Sequence, residues 1–142
     1  MKKIISILIL ILSVFSLHAQ NYGVEAKADT NYILIGEQIN LTLKASYRVD
    51  EGEIAIIFPT LYDTINEFVE IINKSAIDTL IPNKEDPYAF EQNQQITITS
   101  FDSGYYAIPP FKFVINSDTI ETEPFLIEVQ TLEVDTAQAI FD

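Results

Sequence analysis

The 142-residue chain contains no cysteine, no tryptophan, a single histidine and four glycines, and its eight lysines and arginines are outnumbered by 21 acids. Without cysteine, a domain of this size has no disulfides and must hold together by its core. The same absence removes every thiol nucleophile. With His18 as the one imidazole, and that inside the first twenty residues, the chain also lacks the usual base for a serine nucleophile and the ligands that zinc sites use. A triad hydrolase is therefore excluded. Glycine-rich phosphate loops are missing as well. Paired carboxylates can cleave glycosides, but the acids here fall in turns or on wet strand faces, and no tryptophan is present to stack on a sugar. No catalytic residue, cofactor or metal ligand is assigned, and the chain is not expected to be an enzyme. A formal charge of −13 makes nucleic acid and anionic lipid poor partners, since like charges repel at range, and serves solubility.

One apolar run stands out. Met1-Lys2-Lys3 leads into Ile4 to Leu17, broken only by serines, and Leu17-His18-Ala19 precedes Gln20. A basic start, a short greasy centre and a small exit residue predict a secretory signal peptide over 1–19, cleaved after Ala19. The run falls short of the roughly 20 apolar residues needed to cross a bilayer. No cysteine follows it, so a lipid-anchored lipoprotein is excluded. Removing two lysines and no acids moves the formal charge from −13 to −15.

From Val24 onward the pattern has period two. Ile39, Leu41, Leu43 and Ala45 alternate with Asn40, Thr42 and Lys44, as in a strand with one dry face. Short β segments at Val24 to Ala28 and Tyr32 to Ile35 precede it, a first strand broken in two that touches both sheets. Glu53 to Phe58 returns with Ile54, Ile56 and Phe58 on one face. A turn or short helix is expected at Leu61 to Glu67, then strands at Phe68 to Asn73 and Ala76 to Ile81. The breaker-rich loop Pro82-Asn83-Lys84-Glu85-Asp86-Pro87 follows. Tyr88 to Thr99 reads as two strands or one bent strand.

Phe101 to Pro110 organises the whole. Asp102, Gly104 and Tyr106 have the spacing of a tyrosine corner, in which a tyrosine at the start of a late strand bonds back to upstream backbone. Asp102 is expected to cap the turn with its side chain, and Gly104 to supply a backbone angle other residues resist. Beyond Tyr106 and Ile108 the apolar set moves to Phe111, Phe113 and Ile115. That switch of dry face needs a bulge or a kink at Pro109-Pro110, partly at a sheet edge. Asn116-Ser117-Asp118 turns a hairpin into Thr119 to Thr122, and Phe125 to Leu132 is the last strand, with Phe125, Ile127 and Val129 inward. The expectation is all-β: an immunoglobulin-like β-sandwich of seven to nine short strands in one domain over 20–134, with a C-terminal tail at 135–142.

Several of these segments carry a further resemblance. The lysine-led signal ending in Ala-Gln, Tyr32-Ile33-Leu34-Ile35-Gly36-Glu37-Gln38, the Ile77-Asp78-Thr79 step, Ile98 through Tyr106 and Val129 through Thr136 look like the N-terminal domain of BatD-like (aerotolerance, or oxygen tolerance) exported proteins of Bacteroidetes. The resemblance implies immunoglobulin-like domains in the periplasm and a scaffolding role beside von Willebrand A-domain membrane proteins. It supplies no catalytic residues. Such proteins usually continue to a transmembrane anchor, so the tail implies either truncation before one or a soluble periplasmic form. Asp63-Thr64, Asp78-Thr79, Asp118-Thr119 and Asp135-Thr136 also resemble the O-glycosylation acceptors of that phylum, although turn-to-strand chemistry accounts for them.

Candidate partner contacts are Asp50, Glu51 and Glu53 in one acidic turn, Glu85 and Asp86 in the Pro82 to Tyr88 loop, and Pro109 and Pro110 at the edge. Neither acidic stretch has calcium-loop spacing. On the resemblance, one of these acids would complete the coordination of a metal held by a von Willebrand A partner. The alternative function is a carbohydrate-binding module or surface adhesin, which would set Tyr22, Tyr47, Tyr62, Tyr88 and Tyr105 in a row on one face.

Overall fold

The computed structural model describes residues 21–132, with Lys3 alone ahead of them, so the expected signal peptide and the tail at 135–142 lie outside the described residues. Among the described residues there are eleven strands: β1 (Tyr22–Ala28), β2 (Tyr32–Leu34), β3 (Ile39–Arg48), β4 (Ile56–Ile57), β5 (Glu70–Lys74), β6 (Asp78–Leu80), β7 (Ala89–Thr99), β8 (Gly104–Ile108), β9 (Lys112–Ile115), β10 (Asp118–Glu121) and β11 (Phe125–Gln130). The first sheet has the order β1-β3-β7-β5, with β6 also on β7, and all its pairs are antiparallel. The other two sheets are β2-β11-β8 and β10-β9-β4.

Those two small sheets are halves of one layer. Glu121 faces Lys112 in one and Phe125 faces Ile108 in the other, so four residues separate the pairs on both strands and the hairpin register is unbroken. Counting β8 with β9, β10 with β11 and β1 with β2 reduces eleven segments to eight runs. The layer then reads β2, β10–β11, β8–β9, β4 across, facing the β1-β3-β7-β5 layer. The broken first strand lies in both: β1 pairs antiparallel with β3, and β2 pairs parallel with β11. This is the connectivity of an immunoglobulin-like sandwich.

Alternation places the core. Ile39, Leu41, Leu43 and Ala45 of β3 are all buried, as are Ile96 and Ile98 of β7. The opposite layer contributes Ile33, Ile108, Phe113, Ile115, Ile127 and Val129. Phe58 packs edge-on against Phe113, ring centres 4.9 Å apart, so the Glu53 to Phe58 segment covers the core although only Ile56 and Ile57 of it pair as strand. Amphipathic stripes fit both periods in the Leu61 to Asn73 region, and no helix forms there. Instead Thr64 bridges Glu70, and the Asn66 side chain accepts hydrogen bonds from the Phe68 and Val69 amides, which folds the loop back. β5 then carries a bulge between Ile71 and Asn73. The expected Tyr88 to Thr99 segment resolves as one long strand, β7, that begins at Ala89.

The switch of dry face is a kink rather than a bulge. Both strands of the hairpin change face together, from Ile108 to Phe111 on one and from Thr122 to Ile127 on the other, with no extra residue on either. Prolines at 109, 110 and 124 interrupt the ladder, and Thr122 repairs it. Its buried hydroxyl accepts from the Phe111 amide at 2.9 Å, while its own amide donates to the Phe111 carbonyl at 3.0 Å. β8 lies at the edge of its sheet, β9 in the interior of its own.

Candidate functional site

The corner is built as its spacing requires, with one exchange of roles. Gly104 sits at φ 151°, and the Tyr106 hydroxyl donates to the carbonyls of both Asp102 and Ser103 at 2.9 Å. A Cβ on Gly104 would come within 3.1 Å of that hydroxyl. Desolvation raises the Tyr106 pKa above its usual 10.0, with the nearby Asp102 charge second. The expected side-chain cap by Asp102 is supplied by Ser100. Its buried hydroxyl donates to the Asp102 carbonyl at 3.2 Å, and Asp102 contributes backbone to the corner. Phe68 stacks on the Tyr106 ring at 4.9 Å, tying the Leu61 to Phe68 loop to β8, where Asn66 also donates to the Ala107 carbonyl.

The two acidic stretches singled out in the sequence come together. β3 ends at Arg48, and the turn after it lies against the loop before β7, because the Val49 amide donates to the Tyr88 carbonyl at 3.0 Å. The Arg48 guanidinium then spans both, donating to Asp50 at 2.9 Å and to Asp86 at 2.6 Å. The hydrogen bond from Arg48 holds the Asp50 carboxyl below its usual range, and both carboxylates hold the guanidinium above its own. Glu51 accepts from the Asn21 side chain at 2.8 Å. Glu53 and Glu85 are exposed at the same end. The hairpin turn joins them: Asn116 and Ser117 both have positive φ, as a tight two-residue turn demands, and Asn116 exchanges hydrogen bonds with Ala55. Pro109 and Pro110 are exposed but belong to the kink partway along the second layer, away from this end.

Among the described residues no group of three or more histidines, cysteines or carboxylates is arranged to hold a metal ion, and no helix is long and apolar enough to cross a membrane. An open depression of about 530 Å³ lies on the outer face of β1, β3 and β7. It is lined by polar side chains such as Asn40, Asn93 and Gln95, with Lys44 paired to Glu25 at 3.3 Å, residues that no motif in the sequence singles out. The tyrosines do not form the row an adhesin reading requires. Tyr47 is buried and stacks on Phe90. Tyr22 donates to Asp118 at 3.0 Å, while Tyr62 and Tyr88 are exposed on separate loops. Tyr105 faces outward on β8, and Tyr32, not one of the five tyrosines of the expected row, stands level with it across β11. Strand register was the missing signal. Asp78-Thr79 and Asp118-Thr119 begin β6 and β10, Thr64 sits in the bridge to Glu70, and Asp135-Thr136 lies outside the described residues.

The layers, the crossing first strand and the corner define an all-β sandwich of the immunoglobulin-like class. Compared with known proteins, the chain matches no family model and no curated sequence.

Proposed function

We propose that the chain is a non-enzymatic interaction domain, exported to the periplasm, that holds protein partners at a cell-envelope assembly. The observation that carries this reading is the convergence of three loops at one end of a rigid sandwich. Residues 49–53, 82–88 and 116–117 come from different parts of the chain, and Arg48 locks the first two to each other. Loops on a packed β scaffold are where recognition residues commonly sit, since they vary without disturbing the core. The exposed carboxylates of Glu53 and Glu85 suit a basic surface or a metal ion held by the partner. Von Willebrand A-domain membrane proteins are the partner class that the sequence resemblance offers, and their metal sites take a carboxylate oxygen from outside.

The test is capture of partners from membranes of the source bacterium by the tagged protein, with and without chelator, read by mass spectrometry. Recovery of von Willebrand A-domain proteins, lost on chelation and lost when Asp50, Glu51, Glu53, Glu85 and Asp86 are replaced by their amides, is the expected result. Unchanged capture by the five-fold variant sinks the loop-end assignment. Recovery of glycans alone moves the function to carbohydrate binding.

A further inference from the structure

The outer face of the β2-β11-β8 sheet carries a hydrogen-bond chain that no other part of the molecule uses. Glu128 of β11 is level with Tyr32 of β2 on one side and Tyr105 of β8 on the other, which places all three side chains in one row on the outward face. Tyr105 donates to Glu128 Oε1 at 3.2 Å, the Gln130 amide nitrogen donates to the same oxygen at 2.6 Å, and Tyr32 donates to Gln130 Oε1 at 3.0 Å. Both phenols and one amide hydrogen are therefore spent inside the row. What is left without a partner in the row is mainly acceptor capacity, Glu128 Oε2 above all, beside one remaining amide hydrogen of Gln130. Tyr105 is 71% and Tyr32 43% exposed, and a depression of about 350 Å³ runs beside Tyr105 and Glu128.

The charge around the row is one-signed. None of the three strands carries a lysine or arginine, and Glu128 has no ion-pair partner among the described residues. A ligand for this face must bring donors without acceptors, and positive charge. A neutral sugar, whose hydroxyls need both donors and acceptors, meets a row with few donors left. A guanidinium offers five N–H donors, no acceptor, and a flat face that lies on an aromatic ring. We propose that the Tyr32–Glu128–Tyr105 row is a docking site for an arginine side chain of a protein partner, paired to Glu128 and seated against Tyr105. Hydrogen bonding to Glu128 raises the Tyr105 pKa above its usual 10.0. The site lies at the opposite end of the sandwich from Arg48, because the Ile35 amide bonds Gln130 and the Gly36 amide bonds Ser100, beside the start of β3. It is thus a second contact surface, independent of the loop end.

The probe is a capped Gly-Gly-Arg-Gly-Gly peptide titrated at low salt into 15N-labelled protein, with its citrulline counterpart and a cello-oligosaccharide as parallel arms. The arginine peptide is expected to shift the Tyr105, Glu128 and Gln130 amides with a dissociation constant on the order of tens of millimolar, since one exposed ion pair and one ring contact each contribute little. Citrulline should give no saturation, and Glu128→Gln should weaken the arginine peptide at least fivefold while the rest of the spectrum stays in place. Glu53→Gln with Glu85→Gln should leave this binding unchanged, so the row and the loop end fail separately. Equal binding of citrulline, saturable shifts confined to the loop end, no shift of these amides, or an oligosaccharide that moves them each overturn the proposal.

Discussion

Replacing Thr122 by valine sets two forces against each other at one buried atom. The substitution exchanges a hydroxyl for a methyl of similar size, and burying that methyl contributes on the order of 0.8 kcal/mol. Against it, the Phe111 amide loses its acceptor at 2.9 Å in a place water does not reach, since Thr122 is 3% and Phe111 8% exposed. A buried donor left without a partner costs about 1–3 kcal/mol, the upper end applying where water is excluded. The net expectation is a loss of about 2 kcal/mol. Thr122→Ser keeps the acceptor and loses only a methyl, for about 1 kcal/mol. Urea unfolding followed by circular dichroism, with tyrosine fluorescence as the second probe, should therefore rank wild type above serine and serine above valine. At about 4 °C of Tm per kcal/mol for a domain of this size, the valine variant melts roughly 8 °C low. If valine equals or exceeds serine, the hydroxyl does not hold the kink and the account of the paired face switch is wrong.

Three further outcomes follow from the corner and the loop end. Gly104→Ala should cost about 1–2 kcal/mol in urea unfolding, because φ 151° is hostile to a side chain and the new Cβ meets the Tyr106 hydroxyl. Tyr106→Phe should lower the urea midpoint without changing the slope, since only the two corner hydrogen bonds are lost; an unchanged midpoint would mean they are dispensable. Asp50 has its folded pKa depressed by Arg48, so its contribution is present above the usual 3.8 and lost as pH falls through the lower folded value. Arg48→Met should flatten the fall of stability below about pH 4, and an identical acid limb in the two proteins counts against the bridge.

Much of the sandwich was legible because its strands have one wet and one dry face. Ile39 to Ala45 announces itself by alternation alone, and the Asp102, Gly104, Tyr106 spacing marks a corner whose geometry admits few other sequences. What stayed hidden depends on partners distant in the chain. Leu61 to Asn73 fits helical and strand periods alike, and only the packing of Phe68 on Tyr106 and of Asn66 on β8 decides between them. The paired kink was half visible. Pro109-Pro110 shows one strand changing face, but that β10–β11 changes with it, so that no bulge is needed, emerges only from register. In the same way each acidic turn reads as a solvated loop by itself, and the Arg48 bridge between Asp50 and Asp86 joins residues 36 positions apart in sequence. Tyr32, Glu128 and Tyr105 have no common motif and meet only because β11 pairs with β2 on one side and with β8 on the other.

The first strand's membership of both layers has a mechanical consequence. Asn21 leaves the sandwich beside Arg48, and Gln130 leaves it at the other end. Tension between the two ends therefore runs along the strands, dragging β1 past β3 and β11 past β2 and β8. Hydrogen bonds loaded in this way resist together rather than opening one at a time, so a pull along the length of the domain is met by shear between strands.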